Sequence, residues 1–168
     1  MSWLQAPFSV IRPAHDADDD AIWAILEPVF REGETYCVAR DISRDAALEY
    51  WTGGSHEVFL AEKNGICQGS YFICPNQEGG GSHVCNCGFV TAAAARGKGV
   101  ARAMLGHAMT TARNSGYRAM QFNFVVSTNT RAIAIWQGQG FATVGRLAGA
   151  FNSPRHGFVD AFIMYRTL

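Results

Sequence analysis

The hexapeptide Arg96-Gly97-Lys98-Gly99-Val100-Ala101 sits between an alternating apolar stretch, His83 to Val90, and a run with the apolar spacing of a helix. Strand, Gly-rich turn, helix is an order that collects a phosphate. The glycines permit positive φ and a close approach of the backbone to a ligand. The N–H groups of the first helical turn lack partners within the helix, point at whatever binds there, and favour an anion. Arg96 and Lys98 add positive charge. The chemistry on offer is recognition of a phosphate or pyrophosphate. Spacing excludes two owners of such turns. A Walker A loop has Ser or Thr after its Gly-Lys, where this chain has Gly99. A dinucleotide fingerprint begun at Gly97 would put Arg102 where close packing needs a small residue.

A second polar set lies on the strands flanking the turn. Asn86 falls in the strand before it, and Asn123 in the run Gln121-Phe122-Asn123-Phe124 after the helix. Asn is disfavoured in mid-strand and needs partners if buried. Two of them on neighbouring strands describe either the polar floor of a pocket or amides that satisfy backbone groups. Glu32, Glu34, Thr35 and Tyr36 share one polar loop, either a selective pocket wall or a solvated turn. His56, His83, His107 and His156 show no spacing that makes a triad. The acidic run Asp16 to Asp20 suits a helix start, where negative charge complements the dipole. Five cysteines (Cys37, Cys67, Cys74, Cys85, Cys87) without C-x-x-C spacing argue against a disulfide framework and a zinc ribbon. Cys85 and Cys87 share one strand face and read as buried thiols. No metal is expected.

Periodicity and punctuation give the elements that must position these groups. Phe8 to Arg12 alternates before Pro13, a first strand. Ile22, Ile25, Leu26, Val29 and Phe30 recur at helical spacing, predicting a helix from about Asp18 to Arg31. Ser43 caps a short helix to about Trp51, ended by Gly53-Gly54. Asn64-Gly65 joins strands Glu57 to Glu62 and Ile66 to Cys74 as a tight hairpin. After a loop, Pro75 to Ser82, come a strand at 83–91 and a helix from Lys98 to about Ser115, closed by Gly116. Tyr117 to Val126 is a strand, Asn129 to Gln137 a helix, and Phe141 to Leu147 and Gly157 to Tyr165 the last strands. The order β-α-α-β-β-β-α-β-α-β-β gives a mixed sheet with helices on both faces.

A chain of 168 residues suits one domain with its own core. Zero formal net charge offers no basic field for nucleic acid and no polybasic patch for a membrane. No apolar run nears the roughly 20 residues that cross a bilayer. The first residues carry no basic segment with a cleavage-like site, so a cytoplasmic protein is expected.

The pattern Arg96-x-x-Gly99-x-Ala101 resembles the pyrophosphate-arm motif of the GCN5-related N-acetyltransferases, which reads Gln or Arg, two residues, Gly, one residue, Gly or Ala. Asn129-Thr130-Arg131-Ala132, then Trp136 and Gly140-Phe141, is similar to the family's second cofactor segment, and the element order agrees. The resemblance covers most of the chain. It implies a single α/β (α+β) domain over 1–168, with a mixed, mostly antiparallel sheet of six to seven strands, helices on both faces, and a splayed central pair at about 84–91 and 118–125. Acetyl-CoA is the implied co-substrate. Its pyrophosphate would lie on Arg96, Gly97, Lys98, Gly99, Val100 and Ala101, and its pantetheine arm along the backbone near Phe89 and Val90, flanked by Asn129 and Trp136.

The implied reaction is acetyl transfer to an amine by direct attack on the thioester. Asn86 and Asn123 are the candidate catalytic residues, and Glu32, Glu34 and Tyr36 the candidate acceptor wall. Trp136 stands where the family commonly has a tyrosine as acid for the thiolate, and an indole does not release its proton. That role is not carried over. The strand before the turn also lacks the carboxylate that some members use as base. The run further resembles the fungal proline-analogue (azetidine-2-carboxylate) N-acetyltransferases, with Asn86, Asn123 and Asn129 in matching positions. The expected partner is a small-molecule amine: an amino acid, a proline analogue or a xenobiotic. Neither nucleic acid nor membrane is expected, and homodimers are common among relatives. A non-catalytic CoA-binding regulator and a protein N-acetyltransferase are the competing readings.

Overall fold

Strands β1 (Val10–Pro13), β2 (Glu57–Lys63), β3 (Ile66–Pro75), β4 (Val84–Thr91), β5 (Ala119–Val126), β6 (Ala142–Ser153) and β7 (Gly157–Thr167) are interleaved with helices α1 (Asp19–Glu32), α2 (Arg44–Thr52), α3 (Val100–Asn114) and α4 (Thr130–Gly138). In the computed structural model, which describes residues 10–168, the strands form one sheet in the order β1-β2-β3-β4-β5-β7-β6. Phe8 and Ser9 of the expected first strand lie outside the described residues. Neighbouring strands are antiparallel except β4 and β5, which are parallel.

Alternation along β2 and β3 sends side chains to two cores. Phe59, Ala61, Tyr71 and Ile73 pack toward α3 and α4, while Leu60, Phe72 and Cys74 pack toward α1 and α2. Ile22, Ile25, Leu26, Val29 and Phe30 form the buried stripe of α1, as their spacing dictates. Trp51, fully buried on α2, donates its indole N–H to Ser70 Oγ at 3.0 Å, so burying this pair leaves neither group unsatisfied. Cys85 and Cys87 both face α3. All five thiols are free.

The parting of β4 from β5 creates the site. They pair only at Val84↔Ala119, Cys85↔Met120 and Asn86↔Gln121, after which each runs on unpaired with the other. The β5–β7 register slips between Phe122 and Val125, where β5 carries one extra residue. Such a bulge bends its strand and re-aims side chains. Phe122 and Val125, three apart, therefore both reach the α3 core, and Asn123 is left exposed.

Two boundaries differ from expectation. Helix α3 starts at Val100 rather than Lys98, because Gly99 adopts a left-handed conformation, φ 85°. Strand β6 runs on past Leu147 to Ser153. Its Ala148-Gly149-Ala150 segment has little strand character, but Gly149, at φ 59°, donates its N–H to the Asp160 carboxylate at 2.9 Å, and pairing with β7 resumes at Phe151. No helix among the described residues is long and apolar enough to cross a membrane.

Candidate active site

The gap between β4 and β5 opens into a continuous cavity of about 840 Å³, bounded at one end by the turn before α3 and at the other by the α1–α2 loop and the β6–β7 turn. At the turn, Gly97 (φ 78°) and Gly99 (φ 85°) are both left-handed, conformations strained for any residue with a Cβ. The first helical bond runs from Ala103 N–H to Gly99 O at 3.1 Å. Among the described residues the N–H groups of Val100, Ala101 and Arg102 meet no acceptor. These donors, with Arg96 and Arg102, line the cavity. Arg96 Nη2 lies 3.9 Å from Glu32 Oε2 across the mouth.

One expectation for this end needs correction. Lys98 is exposed and does not line the cavity, because the left-handed glycines on either side turn its side chain outward. Arg102, one helical residue further on, supplies the second cation instead. Glu32, expected in the acceptor wall, lines the cavity from the end of α1 with its carboxylate beside Arg96.

Along the middle, β4 presents its unpaired edge. The Tyr36 hydroxyl donates to the Phe89 carbonyl at 2.6 Å. Val90, expected to share this edge, also lines the cavity, with its side chain buried toward α1 and α2. Main-chain groups of adjacent strand residues alternate in direction, and the Phe89 carbonyl is the one that meets Tyr36. Trp136 packs against Phe89 and Phe122, with ring centroids 5.2 and 5.0 Å away. Trp136 lines the cavity, and its indole N–H has no acceptor among the described residues. Asn129 also lines the cavity and caps α4, its Oδ1 accepting from Ala132 N–H at 3.4 Å.

The neck, where the strands begin to part, is tied by amides. Asn86 Nδ2 donates to Gln121 O at 2.9 Å, Gln121 Nε2 to Asn123 Oδ1 at 2.8 Å, and Asn123 Nδ2 to Asn76 Oδ1 at 2.7 Å. Asn86 and Asn123 both line the cavity but do not touch each other. Above them the Phe72 ring lies over Gly88, where a Cβ would come within 2.3 Å of Phe72 Cε1.

The α1–α2 loop forms the far wall. Glu34 accepts from Ser153 Oγ at 2.6 Å and from Arg155 N–H at 3.1 Å, so its carboxylate holds the loop to the β6–β7 turn. Tyr36 makes edge contacts with Phe30, Tyr50 and Trp51. Burial pushes its phenol well above the ordinary range, and Tyr50 adds to the shift. Burial likewise raises the Cys37 thiol. Arg131, Arg155 and His156 also line the cavity, and the sequence assigned none of them a place in the site. Arg131 had a signal, as the second residue after the capping Asn129.

An anion cradle, an open strand edge and a walled neck in one cavity fit a long ligand with phosphates at one end and its reactive group at the other. Residues 3–141 match the family model described as the acetyltransferase (GNAT) family. The chain belongs to the GCN5-related N-acetyltransferases. It is 38% identical to a GCN5-related N-acetyltransferase from Kribbella flavida, over 95% of this chain and 97% of that one, with a TM-score of 0.89. It is 34% identical over 96 residues to N-acetyltransferase aca1 of Schizosaccharomyces pombe, a match that covers 56% of this chain and 46% of that protein. The matched segment thus spans about half the length of this curated relative. A phosphinothricin acetyltransferase from Sinorhizobium meliloti, in complex with acetyl-CoA, shares the fold at a TM-score of 0.82 and 22% identity, over 95% of this chain and 88% of that one.

Proposed function

We propose that the protein is a cytoplasmic acetyl-CoA-dependent N-acetyltransferase whose acceptor is a small-molecule amine. One observation carries this reading: the orphan N–H groups at the start of α3 and the unpaired edge of β4 open onto the same cavity. The pyrophosphate of coenzyme A suits the N–H groups of Val100, Ala101 and Arg102 with the guanidinium groups of Arg96 and Arg102. The pantetheine arm suits the β4 edge at Phe89, beside Trp136 and Asn129. The thioester then reaches the neck, bounded by Asn86, Gly88 and Tyr36.

Acetyl transfer in such a site draws on positioning, since holding amine and thioester together converts a bimolecular step into a unimolecular one. The Asn86–Gln121 and Asn123–Asn76 bonds fix the shape of the acceptor side. The amine enters from the mouth, where Arg131 and Arg155 favour an acceptor that also carries a carboxylate. An amino acid or proline analogue meets that requirement, in keeping with the resemblance carried by Asn86, Asn123 and Asn129.

The indole at position 136 favours a second reading, a CoA-binding regulator without turnover. One measurement is common to the readings and one separates them. Coenzyme A, unlike ATP or NAD, raises the melting temperature under both of them. Thiol release from acetyl-CoA that depends on an added small amine occurs only under the first. Binding without release across primary amines, secondary amino acids and xenobiotic amines supports the regulator.

A further inference from the structure

Amine attack on a thioester expels a thiolate, and the α4 position that could carry a titrating group for it holds Trp136. The polar side chains around the neck differ in which strand group they hold. Asn86 gives one amide N–H to Gln121 and Asn123 one to Asn76, bonds that hold both amides to the strands and loop around the neck. The Tyr36 hydroxyl is set on the open edge of β4 itself, 2.6 Å from the Phe89 carbonyl. Edge contacts with Phe30, Tyr50 and Trp51 hold its ring, so the hydroxyl has a small range of motion. Any extended ligand on this edge meets that carbonyl. The phenol has one proton, which rotates about the C–O bond off the Phe89 carbonyl and onto a ligand once a ligand amide takes that carbonyl. Its O–H stays at the neck.

We propose that Tyr36 donates the hydrogen bond that stabilises the departing thiolate. The proposal rests on the acetyl-CoA reading above. In the step, the amine lone pair forms the C–N bond, the C–S bond breaks, and its electron pair passes to sulfur. The proton lost by the amine goes to water, and a proton from water later neutralises the thiolate. Tyr36 keeps its own proton throughout. That fits its surroundings, since burial holds the phenol protonated across the working pH range, far from matching a thiol of pKa ~8.5 as an acid. Because the ring is already packed at the neck, only the hydroxyl proton has to turn as charge develops on sulfur.

Tyr36→Phe keeps the ring and removes only the hydroxyl. Its kcat is expected to fall roughly 10- to 100-fold with the acetyl-CoA KM changed less than about threefold. A readout without turnover is the affinity for coenzyme A and for desulfo-CoA as a function of pH. Wild-type affinity for coenzyme A should rise as the thiol ionises, because the thiolate gains the Tyr36 bond, while desulfo-CoA shows no rise. Tyr36→Phe should lose that rise and Trp136→Phe should keep it. Fluorotyrosine at position 36 retains the packing and strengthens the donor, so the rise should steepen; it serves also if Tyr36→Phe does not fold. A rise retained in Tyr36→Phe, or unchanged by fluorotyrosine, overturns the proposal, as does its loss in Trp136→Phe alone. Wild-type protein that binds coenzyme A with no rise overturns the Tyr36 role alone. Failure to bind coenzyme A at all overturns the acetyl-CoA reading with it.

Discussion

Asn86 Nδ2 donates to the Gln121 carbonyl at 2.9 Å across the last register pair that β4 and β5 share. One side chain thus closes the apex of the gap, and the gap is the site. Asn86→Ala leaves that carbonyl without its partner, at a cost of about 1–2 kcal/mol. For a chain of this size the melting temperature should fall by roughly 2–8 °C. Coenzyme A affinity should change less than about threefold, since its strongest anchors lie at the other end. Calorimetry of unfolding and of binding checks both.

Gly88→Ala tests the neck by space alone, because the added Cβ would meet the Phe72 ring at 2.3 Å. Overpacking of this kind costs about 1–3 kcal/mol. The ring must be displaced toward His56, stacked 4.0 Å behind it. Lower melting temperature together with a raised acceptor KM is the expected pair of results, read from thermal unfolding and acceptor saturation curves.

Glu32 competes with a phosphate for Arg96. The pair is exposed and long, so its strength is small and salt-sensitive. Glu32→Gln should lower the acetyl-CoA KM by about twofold at low ionic strength and not at all in high salt. Arg96→Ala should raise the same KM by about tenfold, with kcat little changed.

Local signals carried most of the elements, and distance in sequence hid much of the site. Asn64-Gly65 marks the β2–β3 hairpin, the apolar stripe of α1 matches its buried face, and the glycines before α3 show as left-handed turns. The insertion of β7 between β5 and β6 has no local signature, since pairing partners are chosen by the whole sheet. Tyr36 meets Phe89 across 53 residues and Glu34 meets Ser153 across 119. Neither contact leaves a periodic trace. Alternation puts Asn123 on the face of Gln121, to which it is bonded, but its other partner, Asn76, lies 47 residues away and leaves no local trace.

Arg12 binds the Asp18 carboxylate through two bonds of 2.8 Å and also holds Glu62, pinning the start of α1 to β1 and β2. The Arg12 guanidinium lowers Asp18 to about 2 from its ordinary 3.8. A carboxylate depressed on folding contributes stability above its unfolded value, and that contribution is lost as pH falls through the folded value. Asp18→Asn should therefore lower the melting temperature at pH 7 by roughly 2–4 °C. The difference from wild type should shrink as pH falls from about 4 toward about 2. Thermal unfolding in a pH series checks the sign.

The most direct test of the account is thiol release from acetyl-CoA by purified protein with and without a secondary amino acid such as a proline analogue. The account predicts release that needs both the protein and the amine, saturates in each substrate, and weakens in Arg96→Ala through the acetyl-CoA KM. Coenzyme A bound in the cavity with no amine-dependent release, across the whole series of small amines, would contradict it.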